Sequence, residues 1–207
     1  MKVILLNGSP HEAGCTYTAL MEVAKALEER GVQTELFQLG KSPVVGCTAC
    51  GACAKTHRCV IDDKVNLFVE KMMEADGLVV GSPVYYAGPA GQVTAFLDRA
   101  FYCKGSLYAN KLGAAVVSCR RGGASAAFDR LNKYFTISNM PIVSSQYWNQ
   151  VHGNTPEEVK QDLEGLQTMR TLGANMAWLL QCIQAGKAAG IQPPEMEKKV
   201  VTNFIRL

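Results

Sequence analysis

Short unbroken apolar runs alternate along the chain with stretches in which apolar residues recur every three or four positions. The first run, Lys2–Leu6 (KVILL), ends at Asn7-Gly8 and reads as a strand buried on both faces of a parallel sheet. Ala19–Arg30 then sets Leu20, Val23, Ala24 and Leu27 at helical spacing and stops at Gly31. Val32–Leu39 alternates as a second strand. The same logic predicts helices over Lys64–Ala75, Gln92–Cys103 and Ala124–Ser138, and buried strands over Leu78–Gly81, Leu112–Ser118 and Pro141–Ser144. Thr155-Pro156-Glu157-Glu158 is a good helix start, and it opens a long helical stretch reaching Gly190. Five strands alternating with helices predict an α/β, doubly wound, five-stranded parallel sheet occupying residues 1–190. The tail 191–207 is too short for a domain, yet apolar at Val200, Val201, Phe204, Ile205 and Leu207. Residues 40–63 break the alternation: they form a cysteine-rich insertion after the second strand, without periodicity.

In such sheets ligands bind beyond the carboxyl ends of the strands. Three loops leave those ends, Ser9–Thr18, Ser82–Gly91 and Cys119–Gly123, and all are rich in small or hydrogen-bonding residues. The first carries Gly8, Ser9, Gly14, Thr16 and Thr18 at a strand-to-helix junction, where amides, hydroxyls and the helix dipole suit a phosphate. It contains neither Gly-Lys-Ser/Thr nor GxGxxG, so it is neither a Walker-type loop nor a dinucleotide fingerprint. An ordinary tight turn is the alternative.

Composition narrows the class. Of 207 residues 48% are apolar and 19% charged, the profile of a soluble globular protein with a full core. A net charge of +3 argues for neither nucleic acid nor a membrane surface as partner. No apolar run reaches the length of a membrane span and Met1 leads straight into a strand, so a cytoplasmic location is expected. In that compartment eight cysteines point to metal or redox use rather than to disulfides.

The segments GSPHEAGCT, GSPVYYAGPAGQVTAFLDR and VVSCRRGGA resemble the three flavin loops of the NAD(P)H-dependent FMN reductase family, which is flavodoxin-like in fold. The resemblance implies FMN as cofactor, NAD(P)H as electron donor and a small-molecule electron acceptor. It places the phosphate in the first loop, with Ser9, His11, Gly14, Cys15, Thr16, Tyr17 and Thr18 around it. His11 and Cys15 stand where the family commonly has Arg and Asn, which weakens the phosphate contact expected there. Pro83, Val84, Tyr85, Tyr86 and Gly88 would edge the ring pocket, and Ser118, Arg120, Arg121, Gly122 and Gly123 the opposite side. Arg120-Arg121 also reads as a solvated basic pair, and Ser144–Asn149 as either an aromatic lid or a packed surface loop. The likeness further implies a homodimer or homotetramer.

Within residues 40–63, Cys47, Cys50, Cys53 and Cys59 have the spacing Cys-x2-Cys-x2-Cys-x5-Cys. Four thiolates so close in sequence can wrap one inorganic centre. The pattern resembles the compact motif of iron–sulfur flavoproteins, implying a [4Fe–4S] cluster that exchanges electrons with FMN and so a redox protein as partner. Tetrathiolate zinc and free or redox-active thiols are the alternatives. Cys15, Cys103, Cys119 and Cys182 read as small buried apolar residues.

Overall fold

The computed structural model describes residues 1–198, 200–202 and 204. Strand β1 (Lys2–Asn7) leads into α1 (Cys15–Glu28) and β2 (Gln33–Gln38). Residues 39–63 hold only the four-residue α2 (Cys53–Thr56), followed by α3 (Lys64–Glu74). Then come β3 (Gly77–Tyr85), β4 (Gly88–Pro89), α4 (Gly91–Lys104), β5 (Leu112–Cys119) and α5 (Ala124–Ile137). Strand β6 (Gln150–His152) precedes α6 (Pro156–Val159) and α7 (Leu163–Ala188).

The main sheet runs β2-β1-β3-β5-β6, every neighbour parallel, and β4 pairs antiparallel with the far end of β3. That is the flavodoxin order, with its switch point between β1 and β3. The core lies on both faces of the sheet. Ile4, Leu6, Leu78 and Val80 pack against α3, α4 and α5 residues such as Phe68, Phe96 and Phe135. Val3, Leu5 and Val79 face the other layer with Leu20, Val23, Leu172 and Met176. Successive β1 side chains thus enter opposite layers, which is why the run is apolar at every position.

Four expectations need correction. The fifth strand is Gln150–His152, not Pro141–Ser144: Ile142 makes a single bridge to Gly113, and the chain then loops out before rejoining β5 at Val117–Cys119. Strand β3 continues past Gly81 to Tyr85 and folds back as a hairpin where a loop was expected. Helix α1 begins at Cys15 rather than Ala19. The Thr18 hydroxyl donates to the Gly14 carbonyl and the Thr16 hydroxyl pairs with Ser118, so residues that look loop-forming sit comfortably in a first helical turn. The helical stretch after Thr155 is two helices, parted where the Asp162 carboxylate accepts from the amides of Gly165 and His152. Of the apolar tail, Val200, Val201 and Phe204 are exposed, while Ile205 and Leu207 lie outside the described residues.

Candidate functional site

The first loop is shaped from beneath by a buried amide that sequence reasoning passed over. Asn7 is fully buried, accepts from the Ser9 amide and donates to Gln38 Oε1 at 2.6 Å. Gln38 Nε2 donates in turn to the Ser9 carbonyl at 2.8 Å, and the Ser9 hydroxyl accepts from the His11 amide. Gly8 has no room for a side chain, because a Cβ there would lie 2.1 Å from Val93 Cγ2. The loop therefore arrives at α1 in one fixed conformation.

At that junction Gly14 supplies no capping side chain, which leaves the first-turn amides of α1 to an outside acceptor. The hydroxyls expected to assist are engaged elsewhere: Thr18 donates to the Gly14 carbonyl, and Thr16, 1% exposed, lies 2.8 Å from Ser118 Oγ. An anion at this helix start would thus meet main-chain N–H groups and the dipole. The open cleft beside it, about 670 Å³, is lined by His11, Gly14, Cys15, Asn154, Thr155 and a cation the sequence did not flag, Lys41. Cys15 is half-buried, its thiol donating to the Gly153 carbonyl at 3.6 Å; burial pushes that thiol above its ordinary range.

The second and third loops close on the first. Gly8 donates to the Gly81 carbonyl, joining β1 and β3 at the switch point. Beyond it Ser82 Oγ accepts from the Ala90 amide and ties off the hairpin. Tyr85 pairs with Gly88, so Tyr86 and Ala87 form a two-residue turn, both with positive φ (50° and 58°). Asn-Gly suits such a turn; a tyrosine and an alanine strain it, and strain of this kind gathers at ligand sites. Pro83 and Val84 are half-buried, Tyr85 is exposed, and the Tyr86 ring stands wholly in solvent. Gly123, at φ 85°, packs on the turn so closely that a Cβ would lie 2.7 Å from Ala87 Cα. Ser118 is buried beneath, whereas Arg120, Arg121 and Gly122 are exposed at the end of β5. The structure brings all three loops to one edge of the sheet. Ahead of β6, Tyr147 and Trp148 are half-exposed with ring centroids 4.9 Å apart, on a loop anchored by Ser145 Oγ at 2.7 Å from the buried Asn149 Oδ1.

The four motif cysteines line one cavity, together with Arg99, Tyr102 and Cys103 of α4. Among the described residues no three metal-binding side chains converge closely enough to enclose a single ion, so the thiols share a cavity and not a point. Cys59 is held by Asn66, which is 3% exposed, accepts from the Cys59 amide at 2.9 Å and donates to its carbonyl at 3.1 Å. Arg99, 1% exposed, reaches Asp63, the carbonyls of Val45 and Ile61, and the Cys59 sulfur. Burial alone would raise the Asp63 pKa, but Arg99 and the Val65 amide outweigh it and hold the carboxyl below its ordinary value. Burial, then the Cys53 thiol, push Cys103 up to about 12, so it stays protonated. Cys103 and Cys119 are buried as expected; Cys15 is only half so, and Cys182 is exposed on the outer face of α7, where no core reaches it.

A family model described as NADPH-dependent FMN reductase matches residues 1–155. The chain belongs to the NADPH-dependent FMN reductase family. Membership makes it a flavin-binding protein of oxidoreductase type, with FMN as the flavin. It is 33% identical over 192 residues to an iron-sulfur flavoprotein of Methanocaldococcus jannaschii, covering 89% of this chain and 100% of the relative. An iron-sulfur flavoprotein of Methanosarcina thermophila is 32% identical over 194 residues, covering 90% and 99%. The NAD(P)H:quinone oxidoreductase of Methanothermobacter marburgensis superposes with a TM-score of 0.66 at 16% identity over 85% of this chain and 96% of that one, a likeness of fold. None of the described helices is long and apolar enough to cross a membrane.

Proposed function

We propose that the protein is an FMN-dependent oxidoreductase that takes electrons from NAD(P)H and passes them to a small acceptor, and that Cys47, Cys50, Cys53 and Cys59 would hold a metal centre beside it. One observation carries the reading: the hairpin leads directly into α4, and Arg99, Tyr102 and Cys103 farther along that helix line the four-thiol cavity. FMN, when bound, supplies hydride acceptance and one-electron release, and the protein supplies position and electrostatics. The first-turn amides of α1, with His11 and Lys41 at the cleft, would hold the phosphate. The Thr16–Ser118 contact fixes that turn against β5, and the strained Tyr86-Ala87 turn, backed by Gly123, sets the edge of the ring site.

The cavity residues fit an iron–sulfur cluster. The donors are thiols only, with no lining carboxylate, and they are spread around a space. Tetrahedral zinc asks for four sulfurs within about 2.3 Å of one point. A cluster distributes its ligands over several irons. The names of the two relatives agree with this. They also favour a second reading, a protein whose chief task is single-electron relay to a redox partner. Anaerobic purification with an ultraviolet–visible spectrum, iron and sulfide analysis and an NADPH-oxidation assay tests both. Flavin, stoichiometric iron and sulfide and rapid NADPH oxidation are expected. Slow oxidation with the cluster present selects the relay, and failure to bind added FMN overturns both. The homodimer or homotetramer that the family likeness implies is proposed as well, and sedimentation measures it directly.

A further inference from the structure

Arg99 is among the largest fully buried side chains in the chain, and its two guanidinium edges do different things. The Nη1/Nη2 edge grips Asp63, at 2.6 Å to Oδ2 and 2.9 Å to Oδ1. The Nε/Nη2 edge faces the Cys59 sulfur, with both nitrogens at 3.3 Å. A neutral thiol is a weak acceptor, whereas a metal-bound thiolate accepts charge-assisted hydrogen bonds. Asp63 alone would neutralise the guanidinium; the second edge is aimed at a sulfur that the motif assigns to the metal. The carbonyls of Val45 and Ile61 complete the shell, so one side chain spans the cysteine segment from before Cys47 to after Cys59.

We infer that Arg99 is a positioning residue for the metal centre, holding the Cys59 sulfur and raising the reduction potential of a cluster bound through it. This rests on the iron–sulfur reading above. Each electron added to a cluster spreads negative charge onto its sulfurs. A buried cation donating two N–H groups to one of them stabilises the reduced form, net charge and hydrogen bonding to sulfur being two of the protein's levers on potential. Asp63 opposes it, since its negative charge tempers the cation. The two residues should therefore act with opposite sign, which a merely structural clamp does not require.

The test compares wild type, Arg99→Gln, Arg99→Lys and Asp63→Asn, purified anaerobically as holoprotein. Iron and sulfide are counted, and the cluster potential is followed by electron paramagnetic resonance. In Arg99→Gln the reduced-to-oxidised ratio at fixed poise should fall about tenfold, a shift of about 59 mV downward for a one-electron couple. Arg99→Lys should fall between, because an ammonium keeps the charge but not the two-edged fork. Asp63→Asn should shift upward. Unchanged potentials in variants that keep their cluster, or shifts of one sign in Arg99→Gln and Asp63→Asn, overturn the inference and leave the iron–sulfur reading intact. Should Arg99→Gln lose its cluster, Arg99→Lys and Asp63→Asn decide by the same criterion. A wild-type protein without iron and sulfide overturns both.

Discussion

Thr16→Val and Ser118→Ala, singly and together, test what binds phosphate at the start of α1. The two hydroxyls lie 2.8 Å apart, at 1% and 4% exposure. Either single change strands the other hydroxyl in the core, which costs about 1–3 kcal/mol. Removing both leaves no orphan, so the double variant should fall within about 0.5 kcal/mol of the better single variant, a coupling of about 1–2 kcal/mol. Urea unfolding of the FMN-free chain reads the stabilities, and fluorescence titration reads FMN affinity. On the proposed binding by main-chain N–H groups, the double variant should hold FMN within about threefold of wild type, under 1 kcal/mol. Additive single costs would refute the coupling. An FMN affinity lost more than about tenfold in a stable double variant would return the hydroxyls to the phosphate.

Asn66→Ala removes the partner of the Cys59 amide and carbonyl; it should destabilise the chain by about 2 kcal/mol and speed hydrogen exchange at Cys59. Gly8→Ala drives a methyl into Val93 and the Gly81 carbonyl; a loss of about 1–3 kcal/mol is expected from thermal unfolding, partly recovered by Val93→Ala. Glu35 is held below its ordinary pKa by hydrogen bonds from Lys2 and then Lys71. A depressed carboxyl stabilises above its unfolded pKa and loses that contribution as pH falls through its folded one, so Glu35→Gln should flatten the acid limb of stability against pH. The difference should shrink at high salt, the pairs being near the surface.

The strands with runs apolar at every position were legible because a doubly covered sheet demands them; β1 and β5 match within a residue or two. Where local chemistry looks like a loop but tertiary contacts satisfy it, legibility failed. Thr16 reads as a loop hydroxyl until Ser118 stands opposite it, and Pro141–Ser144 reads as a strand until β5 takes Gln150–His152 instead. The three loops at the carboxyl ends of the strands were legible by residue type. The side chains that support the first loop and the cysteine segment were not, since Asn7, Gln38 and Asn66 are ordinary polar residues whose partners the fold selects. Arg99 was in plain view within the second motif, yet its partners lie 36 and 40 residues away.

Helix α4 has a consequence for how this chain can change. Gln92 reaches the carbonyl of Gly40, Val93 fills the space above Gly8, and Arg99 and Cys103 face the cysteine cavity. Gln92, Arg99 and Cys103 share one rotational phase, and Val93 stands about 100° from them. Inserting a single residue between Val93 and Arg99 would turn everything after it by about 100° and advance it by about 1.5 Å, carrying Arg99 off the cavity while the hairpin stayed in place. Substitutions along α4 can be absorbed one contact at a time; a change in its length cannot, because it would uncouple two sites at once.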